Sequence, residues 1–139
     1  MEVTDLKNYL DVAYSSDNNI VVCRWFNVGN SEILRASYNH FFTTAQTFPT
    51  QGWLLDIRGR GKAEPDDDKW YFNDFLPEMV AGFKAMQYLA YLITPSHYEH
   101  VKTNVGLKNF DNQPIADKLT VKFFINEQDA VDWLVSCIS

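Results

Sequence analysis

The sequence predicts one α/β domain: a single-layer, mixed, mostly parallel five-stranded sheet with helices on both faces, in the order β-β-α-β-α-β-α-β-α. Short, wholly apolar runs such as Trp53-Leu54-Leu55 and Leu89-Ala90-Tyr91-Leu92-Ile93 are too brief for buried helices and read as strands covered on both faces. Between them, apolar residues recur at spacings of three and four, the period of a helix packed along one side. The length, 139 residues, matches one domain of the usual ~100–200 residues. A chain of ~150 residues buries about 68–70% of its unfolded surface, so no disulfide or metal is needed to hold the core.

Residues 9–14 predict the first strand, with Leu10, Val12 and Tyr14 on one face. Asp17-Asn18-Asn19 is a turn, because Asx side chains bond nearby backbone and tolerate unusual dihedrals. Residues 20–26 form the second strand, close enough to pair as an antiparallel hairpin. Leu34, Tyr38, Phe41, Ala45 and Phe48 mark a helix capped by Asn30 or Ser31 and followed by Pro49. Residues 53–57 are a strand, apolar except at Asp56, that leaves through Gly59 and Gly61.

Pro65, followed by Asp66, Asp67 and Asp68, opens the next helix, because proline suits the first turn and acids favour the positive end of the helix dipole. Trp70, Phe75, Met79 and Phe83 continue it, and Pro77 must interrupt or kink it. Residues 87–93 are another strand. Ser96 and Glu99 have the spacing of a capping box, opening a short helix that ends near Asn109. Residues 118–125 carry Lys118, Thr120 and Lys122 on one face, which places this last strand near an edge. Asn126 caps a final helix with Ala130, Trp133, Leu134, Cys137 and Ile138 inward. The two wholly apolar strands, 53–57 and 87–93, take the centre of the sheet.

Composition removes several classes of function. Aromatic residues make up 15% of the chain and charged residues 22%, far from the signature of disorder. The longest apolar stretch, residues 88–93, is well short of the ~20 residues a membrane helix needs. Met1-Glu2-Val3-Thr4-Asp5 has no basic start and no apolar core, so no secretory signal is expected and the predicted location is cytoplasmic. The net charge is −6, and the one basic cluster, Arg58, Arg60 and Lys62, runs into Glu64, Asp66, Asp67 and Asp68. Nucleic acid is therefore not an expected partner. Cys23 and Cys137 fit no metal or redox spacing and read as reduced core thiols.

Leu54-Leu55-Asp56-Ile57-Arg58, then Trp70, then Phe75-x-Pro77, a strand ending Ile93-Thr94-Pro95, and Phe123-Phe124 before Glu127-x-x-Ala130-x-x-Trp133-Leu134 carry a resemblance over nearly the whole chain from Tyr9. The pattern resembles the stage II sporulation protein AA-like family, whose relatives are the STAS domains of anti-sigma-factor antagonists and, more distantly, the CRAL-TRIO lipid carriers. The resemblance implies a STAS-like fold and a regulatory or carrier role. Regulatory STAS domains present a phosphorylatable serine at the start of the helix after a central strand. Here Asp56-Ile57-Arg58-Gly59-Arg60-Gly61-Lys62-Ala63 has neither Ser nor Thr, so a phospho-switch of that kind is not implied.

Chemistry-bearing patterns are sparse. Gly59-Arg60-Gly61-Lys62 lacks the longer glycine arch and the hydroxyl of a phosphate loop. Asp66, Asp67, Asp68 and Asp74 do not alternate as calcium ligands do. His97 and His100 lie three apart without a third ligand, and no nucleophile motif is present. No enzyme activity, metal or cofactor is expected. Asp56 and Arg58 share a strand face near the carboxyl end of a central strand, where open α/β sheets place ligands, although a structural ion pair is the stronger reading.

The candidate ligand site gathers Asp56, Arg58 and Arg60 from one segment leaving that edge and Thr94 and His97 from another, with Trp70 as a wall. The expected function is a non-enzymatic regulatory or interaction module acting through protein or small-ligand contacts. The alternative is a carrier of a lipid or other apolar molecule, which requires a cavity of roughly 300–1,000 Å³. Tyr9, Tyr14, Trp25, Tyr71, Tyr88, Tyr91 and Trp133 exceed what a small core covers easily, which predicts a homodimer.

Overall fold

The computed structural model describes residues 6–60, 63–103, 113–115 and 118–138. Residues 1–5, Gly61, Lys62 and the helix end predicted near Asn109 lie outside the described residues. The strands are β1 (Leu10–Ser15), β2 (Ile20–Trp25), β3 (Gly52–Asp56), β4 (Gln87–Leu92), β5 (Gln113–Ile115) and β6 (Leu119–Phe124). They form one sheet in the order β1-β2-β3-β4-β6-β5. β2, β3, β4 and β6 are parallel, and each end of the sheet is closed by an antiparallel pair, β1 with β2 and β5 with β6. All five predicted strands are present, with β3 and β4 central. The short β5 adds an edge strand that no periodicity announces, and Pro114 fits an edge, where a missing N–H costs no ladder bond.

The helices are α1 (Ser31–Ala45), α2 (Pro65–Trp70), α3 (Leu76–Ala81), α4 (Pro95–Thr103) and α5 (Glu127–Ile138). The strands β2, β3, β4 and β6 are laid down in one direction without reversal, and right-handed crossovers then put the connecting helices among the described residues on the same face. Leu34, Tyr38 and Phe41 of α1, Leu76, Met79 and Val80 of α3 and Val101 of α4 accordingly share one core with Val21, Cys23, Trp25, Leu55, Leu89 and Tyr91 of the sheet. Among the described residues, α5 alone covers the other face, setting Ala130 and Leu134 against Ile20, Leu54, Ala90 and Leu92. Helices lie on both faces as predicted, but unequally.

Local chemistry explains the helix ends. The Asn30 side chain caps α1 by accepting from the Ile33 N–H at 2.9 Å, and Asn126 caps α5 by accepting from Asp129 at 3.0 Å. Between α2 and α3 the chain widens into a π turn, Tyr71–Phe75, in which the Leu76 N–H bonds the Tyr71 carbonyl. One wider turn ahead of Pro77 relieves the clash a proline ring makes with the carbonyl four residues back, so the helix bulges where a kink is predicted. The Ser96–Glu99 capping box does not form. Pro95 occupies the first helical position, which moves the cap to Thr94, whose hydroxyl accepts from the His97 N–H at 3.2 Å; Glu99 pairs instead with Lys102 at 3.2 Å. Asn19 in the first hairpin turn takes a φ of 55°, a conformation asparagine tolerates.

The aromatic side chains pack against one another. Phe41 and Phe83 meet Trp53 edge-on, each with ring centroids 5.4 Å away. Trp25, Tyr71 and Tyr91 are buried, Tyr14 stacks on Phe48 at 5.0 Å, and Tyr88 meets Trp133 at 6.1 Å. One chain thus finds partners for these rings, and their number by itself gives no argument for a dimer. Both cysteines are free thiols. Burial, reinforced by the charge of Asp11, pushes the Cys23 thiol well above its ordinary range. No helix among the described residues is long and apolar enough to cross a membrane.

Among the described residues α5 is the sole helix on its face, so truncating its fully buried Leu134 leaves no described helix beside it to close the gap. Leu134→Ala should cost about 2–5 kcal/mol, lowering the thermal midpoint by roughly 2–4 °C for each kcal/mol, as read by circular dichroism.

Candidate functional site

β2, β3 and β4 are parallel, so the chain leaves all three at the same edge of the sheet. The predicted site residues converge on this edge, but strand alternation divides them between its two faces. Asp56 points to the face covered by α5. There Arg58 donates from Nε to Asp56 Oδ1 and from Nη2 to Oδ2, both at 2.9 Å, and its backbone N–H adds a bond at 3.2 Å. Arg24 on β2 donates to Asp56 at 2.9 Å and to both carboxylate oxygens of Glu127, at 2.7 and 3.0 Å. Two arginines and two carboxylates therefore tie β2, β3 and the first turn of α5 together.

Burial alone pushes the Asp56 carboxyl up, but the hydrogen bonds from Arg58 and Arg24 outweigh it and hold it below the ordinary carboxylate range. The Arg24 hydrogen bonds hold Glu127 down as well, against a smaller opposing effect of burial. Asp56 and Arg58 are engaged with each other, as the structural reading predicts, and Arg58 is exposed while Asp56 is buried.

Gly59 turns the chain to the opposite face. A Cβ there would overlap the Trp25 carbonyl and come within 2.7 Å of Phe26 Cα, so the close approach of two backbones requires glycine. Arg60 then lies with its guanidinium carbon 5.5 Å from the Trp25 ring and 5.4 Å from that of Tyr38, and donates to the Tyr38 hydroxyl. Such cation–π contacts contribute ~0.5–2 kcal/mol according to burial.

Beside Arg60 opens a cleft of ≈ 290 Å³, with Tyr9 and Trp25 as its aromatic lining and Asn27, Ser31 and Glu64 among its polar groups. Trp25 Nε1 donates to Ser37 at 2.9 Å, and Ser37 donates to the Leu34 carbonyl at 2.6 Å. Asp67, in the first turn of α2, is buried and accepts from Ser31 at 2.7 Å and Arg35 at 3.2 Å. Arg35 also covers Trp70, 5.0 Å from its ring centre.

A second, smaller depression of ≈ 30 Å³ adjoins the cleft; Arg60 and Ala63 line both. Tyr38, Asp68, Tyr71, Tyr91 and His97 are among its other walls. The Tyr91 hydroxyl donates to that of Tyr71. Burial pushes all three phenols upward. Burial also raises Asp68, against the pull of Arg60 and His100. His97 and His100 stand 6.3 Å apart between ring centres, and the described residues hold no group of three or more His, Cys, Asp or Glu that fits a metal ion.

Of the six predicted site residues, Arg60 and His97 thus share a depression. Asp56 and Arg58 lie on the other side of the sheet, Thr94 caps α4, and Trp70 packs on Tyr38 at 6.2 Å and Phe75 at 5.1 Å. Tyr38, Tyr71, Tyr91 and Asp68 escape a sequence reading. Each tyrosine sits in a helical or strand stripe that registers as apolar, and only the tertiary packing brings the hydroxyls together. Comparison with protein-family models, curated proteins and solved structures finds no match for this chain.

Two outcomes follow from this geometry. Because Asp56 and Glu127 hold their protons more weakly folded than unfolded, the unfolded state binds more protons in acid and stability rises with pH there. The network's contribution is complete above the ordinary carboxylate range of roughly pH 4 and is lost as pH falls through the lowered folded values. Asp56→Asn should cost about 1–3 kcal/mol at neutral pH and flatten the acid limb of a plot of thermal midpoint against pH. Gly59→Ala should destabilise by about 1–3 kcal/mol through overpacking, measurable by urea unfolding; an unchanged midpoint would show that the backbones separate freely.

Proposed function

We propose that this chain is a non-catalytic binding module whose ligand, a small organic molecule with a planar or apolar body, occupies the cleft at the carboxyl edge beside Arg60. The observation that carries the reading is the cleft itself: ≈ 290 Å³, near the lower bound of about 300 Å³ for ligand pockets, with aromatic lining and several polar groups. The ring-filled core supports binding at this edge over an internal lipid-carrier cavity. Binding without turnover is supported by the commitment of nearby polar groups, since Ser37, Ser31 and Asp67 are bonded within the fold, and by the raised pKa of the buried Cys23 thiol.

Amide and indole NMR spectra test this against a library of heteroaromatic and arylalkyl fragments. Saturable shifts should centre on the Trp25 indole N–H and the amides of Gly29 and Ser31. Binding fragments that shift only residues elsewhere would overturn the assignment.

Phe26, 49% exposed, and Val28, 72% exposed, project from the loop after β2 and favour a second reading, in which this rim contacts another copy of the chain. Val28→Asp should then abolish a dimer seen by light scattering at tens of micromolar. A 16.1 kDa monomer at that concentration would sink the dimer and leave the cleft reading intact.

A further inference from the structure

The two edges of the sheet are built differently. β5 is three residues long and carries Pro114, and shortness and proline both keep another strand from adding to a sheet. β1 has neither protection. It runs six residues without proline, lysine or bulge and pairs with β2 unbroken from Leu10–Trp25 to Ser15–Ile20. The Phe26 N–H donates to the Tyr9 carbonyl at 2.9 Å, which fixes the alternation of this antiparallel ladder. Asp11, Ala13 and Ser15 thus turn their main-chain groups toward β2. The N–H and C=O groups of Leu10, Val12 and Tyr14 point out of the sheet, and they bond to nothing among the described residues.

This edge is complementary to a second copy of itself. A two-fold axis through Val12 sets Val12 against Val12 and Leu10 against the Tyr14 of the other copy. Every outward residue then faces an outward residue, and each pair exchanges two main-chain hydrogen bonds. Opposed residues of an antiparallel pair lie on the same side of the sheet. Leu10, Val12 and Tyr14, which pack on the larger core, therefore continue that core across the axis. On the other face Asp11, the one charged residue of β1, stands opposite Ala13 and meets no like charge. Sliding the register by two residues either way leaves an outward residue beyond the partner strand.

Charge favours the same arrangement. Lys7 precedes β1 and Asp17 follows it, and both are exposed. Within one chain they lie at opposite ends of a strand roughly 20 Å long. Pairing about Val12 brings each Lys7 to the Asp17 of the other copy, so opposite charges flank the joined strands at both ends. We infer that β1 is a self-recognition edge, at which two copies of this chain pair β1 with β1 about Val12 into one continuous sheet. The contact is distinct from the rim at Val28 and does not depend on what occupies the cleft.

The test mixes isotope-labelled and unlabelled chains at the concentrations of an NMR experiment. Asp11 and Ala13 form the non-hydrogen-bonded pairs beside the axis, where Cα atoms approach most closely. A cross-peak between the Asp11 and Ala13 α-protons of different copies is therefore expected. The Val12 amide should exchange slowly and speed up on dilution, while the Ala13 amide, bonded to β2, stays protected throughout. Val12→Pro removes an N–H that the single chain does not use and should give a folded 16.1 kDa monomer by sedimentation equilibrium. Should that variant not fold, the exposed charges decide. Lys7→Asp and Asp17→Lys should each weaken association severalfold, and the double variant should restore it, because the two positions are too far apart to compensate within one chain. Val28→Asp should leave this dimer intact. A monomer at every concentration, a dimer without the cross-peak, or a dimer lost in Val28→Asp but kept in Val12→Pro would each overturn the pairing. So would a monomer whose Val12 amide is slowed only by an added threonine–valine peptide, which would give the edge to a foreign strand.

Discussion

The handedness of the crossover connections governs the rest of the structure. Four parallel strands are added in one spatial direction, and each connection between them must be right-handed. Among the described residues the connecting helices therefore accumulate on one face, and the second face is covered only by α5, which arrives after the last strand. Among the four parallel strands the order never reverses, so they lack the switch point at which open α/β sheets usually part to admit a ligand. Concavity arises elsewhere, where the loops after β2 and β3 spread over Trp25.

One strand end serves both faces. Asp56 closes the α5 side through Arg24, Arg58 and Glu127, a cluster whose formal charges cancel. Carboxylates already bonded to two arginines hold their protons weakly, and each arginine is steadied by the same bonds. Three residues later, Gly59 lets the backbone of β2 pass close by and sends Arg60 to the other side. The period-two alternation of a strand and one missing side chain thus separate an ion-paired latch from a guanidinium laid over aromatic rings.

Those rings explain how a small domain accommodates so many large side chains. Phe, Tyr and Trp interlock edge-on and tilted around Trp53 and Tyr38, geometries favoured by their quadrupoles. Tyrosine carries a cost that phenylalanine does not, because a buried hydroxyl must find a partner. Here Arg60 donates to the Tyr38 hydroxyl, and Tyr91 donates to Tyr71. The π turn ahead of Pro77 is part of this arrangement, since Tyr71 begins it and Phe75 ends it, and both face the core.

The sequence by itself determined the α/β class, the five principal strands with β3 and β4 at the centre, and the Asn126 cap, while it offered Asn30 or Ser31 as the α1 cap and an ion pair or a ligand site for Asp56 and Arg58. Each follows from short-range physics: apolar runs, helical spacing, side chains able to accept from open N–H groups, and residues two apart on a strand. It left β5 unseen because a three-residue edge strand carries too little periodicity, and it placed the α4 cap at Ser96 because spacing alone does not reveal that Pro95 has taken the first helical position. The tertiary structure decided which face each helix covers, that Asp67 is buried, and that Tyr38, Tyr71 and Tyr91 meet beside Arg60. Those residues come from α1, the π turn, β4 and the loop after β3, and no local pattern encodes their distance. The right-handed crossover and the packing of rings bring them within hydrogen-bonding reach.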